Sequence, residues 1–178
     1  PEGGNLVAGL ESRVAYELCG ENGLFGEEKV AILEDGVKLL ETTPQHLGKG
    51  SFTFTPKAGA KYRAEVTMTD SKGKQKKHRF ELPEIEPEGV VMRVNENGDR
   101  ITVNIADNFA EPIELGFVVL HRGMMGFYRK FTTDGQNAFS FAKDSLREGV
   151  NRAVLFIDNN TPLAERHFFV MHDSLMHS

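Results

Sequence analysis

The chain has 178 residues, 39% hydrophobic and 26% charged, with a net charge of −5. That apolar share supports a packed core and excludes a disordered polymer, while the negative balance argues against a general affinity for nucleic acid or an anionic membrane. No apolar run of about 18 residues is present to span a bilayer, so direct membrane insertion is not expected, and the single cysteine, Cys19, has no partner for an internal disulfide.

From the N-terminus, Pro1-Glu2-Gly3-Gly4 leads into a brief apolar stretch, Leu6-Val7-Ala8. Val14, Tyr16 and Leu18 then alternate with Arg13, Ala15 and Glu17, which reads as a strand with one buried face, closed by Gly20-Glu21-Asn22-Gly23. Lys29 to Leu33 is a short apolar run ending in Glu34-Asp35-Gly36, a hairpin signal, with Val37 to Glu41 as its return strand. Gly50-Ser51-Phe52-Thr53-Phe54-Thr55-Pro56 puts both phenylalanines on one face. Tyr62, Ala64, Val66 and Met68 point inward at period two, and the turn Asp70-Ser71-Lys72-Gly73 precedes a strand through Phe80 and Leu82.

Leu82 to Gly89 carries prolines at 83 and 87, each fixing its own backbone and removing a donor, so the stretch reads as a semi-rigid spacer. Beyond it the plan repeats: Val90 to Val94, the turn Asn95-Glu96-Asn97-Gly98, then Ile101, Val103 and Ile105 in alternation. Leu115 to Leu120, Tyr128 to Thr132, Phe139-x-Phe141, Ala153 to Ile157 and Phe168 to Met171 follow, with room for one helical turn over residues 144–149.

The halves match in order. Pro1-Glu2-Gly3 recurs at Pro87-Glu88-Gly89, Val30-Ala31-Ile32-Leu33 at Phe117-Val118-Val119-Leu120, Phe52-x-Phe54 at Phe139-x-Phe141, Arg63-Ala64 at Arg152-Ala153, and His78-Arg79-Phe80 at His167-Phe168-Phe169. The expected fold is all-β: two tandem antiparallel β-sandwich domains of about seven strands each, over residues 1–84 and 85–178, with a linker near 83–89.

Three stretches carry a family resemblance. Pro1-Glu2-Gly3-Gly4-x-Leu6-Val7-x-Gly9-Leu10-x-x-Arg13-Val14-Ala15, Gly50 to Pro56, and Gly149-Val150-Asn151-Arg152 with Pro162-Leu163-Ala164-Glu165-Arg166 resemble the macroglobulin-type β-sandwich modules of large envelope proteins in Bacteroidota. The resemblance covers nearly the whole chain. It implies a periplasmic or outer-membrane setting, tandem modules of a longer chain, partners that are other modules of that chain or an envelope protein, and no catalysis by the modules themselves. The start at Pro1, without methionine or signal peptide, fits a piece of such a chain, with a truncated first strand.

Candidate chemistry is sparse. Cys19-Gly20-Glu21-Asn22 differs from the Cys-Gly-Glu-Gln of thioester macroglobulins by one methylene in its fourth side chain, so Cys19 is expected to be an inert, packed thiol. Lys72, Lys74, Lys76, Lys77 and Arg79 read as a solvated hairpin discouraging edge pairing. His167, His172 and His177 lack metal spacing, His78 and His167 share a position in the repeat, and paired acids such as Glu27-Glu28 read as solvated charge. Asp144-Ser145-Leu146 and Asp173-Ser174-Leu175 have the form of a bacterial O-glycosylation triplet.

No motif calls for a cofactor or a metal, and no catalytic signature supports an enzyme. One surface stands out: Met124, Met125, Phe127 and Tyr128 follow a hairpin turn where the first half has Val37-Lys38-Leu39-Leu40, and they form a candidate interaction surface, although core filling by Met125 and Phe127 is the plainer reading. The function expected is a non-catalytic structural and interaction module. The alternatives are a carbohydrate-binding module, which the absence of tryptophan disfavours, and a fragment of a protease-trapping macroglobulin.

Overall fold

The computed structural model describes residues 4–20, 26–70, 72–158 and 161–172. The chain divides into two compact units, Leu6–Pro87 and Glu88–Ser178, the second also taking in Gly4 and Asn5. Among the described residues all regular structure is β apart from one 3-10 turn at Lys143–Ser145.

The first unit contains β1 (Leu6–Val7), β2 (Ser12–Glu17), β3 (Val30–Glu34), β4 (Val37–Thr42), β5 (Lys49–Phe54), β6 (Tyr62–Thr69), β7 (Gln75–Glu81) and β8 (Ile85–Glu86). One sheet has the order β4-β3-β6-β7, the second pairs β2 with β5, and β1 pairs in parallel with β8. Glycines in the left-handed or fully positive region at Gly4 and Gly9 bracket β1 and hold it to two residues. The stretch read as a spacer thus carries β8, and both Leu82 and Ile85 pack against the first core. That core is Leu6, Ile32, Phe52, Phe54, Tyr62 and Val66 with their neighbours, Phe54 and Tyr62 meeting edge to face at 4.9 Å.

The second unit contains β9 (Val90–Asn97), β10 (Arg100–Asp107), β11 (Glu114–His121), β12 (Met124–Thr132), β13 (Gln136–Ala142), β14 (Gly149–Ile157) and β15 (Thr161–Val170). Its sheets are β12-β11-β14-β15 and β13-β10-β9. Alternate residues of both interlock in one core, with Phe117 fully buried between Phe139 and Phe141, and Phe127 stacked on Phe141 at 3.9 Å. The four-stranded sheets of the two units therefore share one strand order, β3 and β6 matching β11 and β14 residue for residue: Leu33 pairs with Arg63, and Leu120 with Arg152. The small sheets differ, since eight-residue β9 pairs along β10 whereas β1 does not reach β2.

One buried position does the same work with different chemistry. Tyr62 donates its hydroxyl to Glu34 Oε2 at 2.6 Å and accepts the Lys57 N–H at 3.0 Å, tying the strand back to the chain five residues upstream. Burial and then the Glu34 bond push its pKa up, while bonds from Lys57 and Tyr62 hold the Glu34 carboxyl below its usual range. In the second unit the matching residue is Asn151, whose amide donates to Arg147 O at 2.8 Å and Gly149 O at 3.1 Å.

Four expectations need correction. Cys19 is exposed rather than packed, because alternation turns it outward directly after buried Leu18, and its Sγ lies 3.7 Å from Gly20 O; residues 21 and 22 of that motif lie outside the described residues. His78 and His167 do not share a position: His78 sits opposite buried Val66, whereas His167 sits opposite exposed Arg152, on the other side of its sheet. The turn after β9 is narrower than expected, with Asn97 already paired to Arg100 around Gly98-Asp99. The helical turn begins earlier, at Lys143, where Ser145 Oγ donates to Ala142 O at 2.7 Å; the second triplet, residues 173–175, lies outside the described residues.

Candidate interaction surface

The strands of the second unit's four-stranded sheet send Leu115, Phe117, Val119, Ala153 and Leu155 inward. Their neighbours must face outward, and these are also apolar. Register sets them in rows. Tyr128, Val118 and Val154 form one, next to Glu165. Met125 and Leu120 lead into Arg152 and His167 in the next. Val150 and Phe169 pair beyond these, exposed to 58% and 59%.

Two local devices shape this face. Val119 pairs with Phe127 but Leu120 with Met125, so the strand skips Gly126 and the bulge swings Met125 to the outer side. At the other end Phe156 lies over Gly116, where a Cβ would stand 2.3 Å from the ring, and it stacks with Tyr128 at a centroid distance of 6.5 Å. Glycine is what lets the ring lie across the sheet.

The structure splits the four residues singled out from sequence. Met125, 67% exposed, and Tyr128, 46% exposed, lie on the outer face. Phe127 packs into the core, and Met124 is exposed opposite His121 on the other side of the strand. Val118, Leu120, Val150, Val154, Phe156 and Phe169 complete the face and were not singled out; the signal for them was the unbroken apolar run Leu115 to Leu120, which alternation alone does not require.

The first unit carries charge in the same register. Glu41, Ala31, Glu65 and Arg79 form one row, Lys38, Leu33, Arg63 and Glu81 the next. Glu65 meets Lys77 at 2.8 Å, Arg79 at 3.0 Å and Arg63 at 3.2 Å, and Glu41 meets Lys29 at 3.2 Å. A bond from Lys77, reinforced by its charge and that of Arg79, holds the Glu65 carboxyl below its usual range, and bonds from Lys38 and Lys29 do the same for Glu41. A depression of about 420 Å³ on this face is lined by Glu28, Lys29, Glu41, Glu65 and Lys77, charges that largely answer one another. The basic hairpin of β7 is thus partly consumed within its own sheet.

The depression on the second unit differs. It measures about 320 Å³, has Leu120 and Val150 in its lining, and is bordered by Arg122, Arg152 and His167. Among the described residues no group of three or more His, Cys, Asp and Glu side chains is placed to hold a metal ion, and no helix is long and apolar enough to cross a membrane.

No family model matches the chain, and no curated protein matches it. Among solved structures it is similar to a 1.5-MDa bacterial ice-binding adhesin described for host cell surface retention, at 14% identity and a TM-score of 0.36, covering 92% of this chain and 58% of that one. It is also similar to the β-glucuronidase of Ruminococcus gnavus, at 12% identity and a TM-score of 0.30, covering 93% of this chain and 36% of the enzyme. The chain spans less than two thirds of the length of either protein.

Proposed function

We propose that this chain is a pair of non-catalytic β-sandwich modules of a larger cell-envelope protein, in which the first unit is a solvated spacer and the second presents a docking face to a polypeptide partner. The macroglobulin-type resemblance supports the envelope setting and the modular role. One observation carries the division of labour. Where the first unit has Lys38, Glu41 and Glu65, the second has Met125, Tyr128 and Val154 on the same strands in the same register. A solvated sheet face has no use for exposed methionine, tyrosine and phenylalanine, whereas contact surfaces concentrate them.

The test is a photo-crosslinking amino acid placed at Val154 or, as the matched control, at Glu65, in the full-length parent protein in its own cells. Crosslinks from position 154 to a polypeptide of the envelope fraction, absent from position 65, are the expected result. Equal crosslinking at both positions, none at either, or capture confined to cytosolic proteins overturns the reading.

A further inference from the structure

Resting on that docking reading, we infer that the partner segment seated on the second unit's outer face is acidic as well as apolar, its carboxylates taken by Arg122, Arg152 and His167 while its apolar side chains lie on Leu120, Val150 and Met125. The two guanidinium groups and the imidazole border one depression with Leu120 and Val150 in its lining. Arg152 and His167 share one carboxylate, Glu165, at 3.8 Å from Arg152 Nη1 and 3.8 Å from His167 Nε2. That distance is beyond a hydrogen bond, so the guanidinium fork of Arg152 keeps donors for an incoming oxyanion. Lys130, at the far end of the face, is answered by Glu114 at 2.6 Å and takes no part.

A second observation concerns Arg122. The β11–β12 turn places residues 122 and 123 at φ 48° and 81°, as the β3–β4 turn does with Asp35 and Gly36 at 48° and 86°. Asp35 suits that left-handed position and uses it, its Oδ1 accepting the Lys61 N–H at 3.0 Å. Arginine has no such local compensation. Its side chain lines the depression beside Leu120 and Val150, where an incoming carboxylate would give it a partner. The aliphatic lining points to protein side chains rather than sugar rings, which need flat aromatic platforms and many polar partners.

The experiment selects a displayed random peptide library, about twelve residues long, against the full chain, with counter-selection against the M125K/Y128E/V154E variant. Recovered peptides are expected to combine Asp or Glu with apolar residues and to bind more weakly as salt rises. Reversing the charges with R122E/R152E is expected to weaken them at least about tenfold and to shift the selected consensus toward Lys and Arg. Circular dichroism confirms that both variants fold. A consensus without acids, or affinity indifferent to R122E/R152E, overturns this inference and leaves the docking reading standing. No selection above the counter-selected variant overturns both. Tighter binding of oligogalacturonate than of any peptide assigns the site to an acidic glycan and also overturns it.

Discussion

Glu65 in the first unit and Val154 in the second sit at one register of one strand, both on the outer side of a four-stranded sheet. Around Glu65 the sheet face is built of ion pairs; around Val154 it is built of Tyr128, Val118 and Phe156. The inner sides of the same strands stay alike, with Val30 and Ile32 matched by Phe117 and Val119. Burial fixes one residue in two and leaves the other free, so two copies of a sandwich can keep a fold while one becomes a solvated wall and the other a sticky one. An apolar outer face gives a monomer nothing in return for its exposure, and the docking proposal rests on that contrast.

The largest expected effect separates the two sides of β11. Phe117→Ala removes a fully buried ring and is expected to cost about 3–5 kcal/mol. Val118→Ser, one residue along on the outer face and half-buried between Tyr128 and Val154, is expected to cost about 1 kcal/mol. Urea unfolding of each variant, followed by amide exchange in the second unit, measures both. A core-sized loss at Val118 means that the outer face is covered by the chain itself, and the docking reading falls with it.

A smaller effect sharpens the contrast at matched positions. Gly116→Val forces the Phe156 ring off the sheet, because the new Cβ would stand 2.3 Å from it. It is expected to lower stability by about 1–2 kcal/mol and to undo the stack with Tyr128. Lys29 occupies the corresponding place in the first unit, with no ring above it, and Lys29→Val is expected to lower the melting temperature only slightly, through loss of its exposed pair with Glu41. Thermal melts of the pair report the difference, and equal shifts would show that Gly116 has no special role.

Much of this architecture was legible in the sequence, because period-two burial and Asp35-Gly36 or Gly98 turns write strands directly. The outer face was not. Leu115 to Leu120 and Ala153 to Ile157 are unbroken apolar runs, which sequence reads as strands covered on both sides; only the fold shows that no other sheet of the unit covers the outer side. The bulge at Gly126 was equally hidden, and it decides that Met125 joins Tyr128 while Phe127 turns into the core. Sequence similarity misled at His78 and His167, since the β14–β15 hairpin is shorter than the β6–β7 hairpin and slides the last strand against its neighbour. The match between Tyr62 and Asn151 escaped notice for the opposite reason, the two doing one job with unlike side chains.

The smallest expected effect is a difference in acid tolerance between the units. Among the described residues, the carboxylates shown to be held below their usual range by lysine, arginine and tyrosine partners are Glu34, Glu41 and Glu65, all in the first unit. A carboxylate whose folded-state pKa is lowered contributes stability that is complete above its unfolded value and disappears as pH falls through the folded one. As pH drops below about 4.5, amide protection at Ile32 and Val66 is therefore expected to decline before that at Phe117 and Leu155, with most of the difference erased by high salt because the pairs are largely exposed. Hydrogen exchange across an acid series measures this. Simultaneous loss in both units would mean that the charges of the first unit's face do nothing for its fold, leaving solvation as their only service.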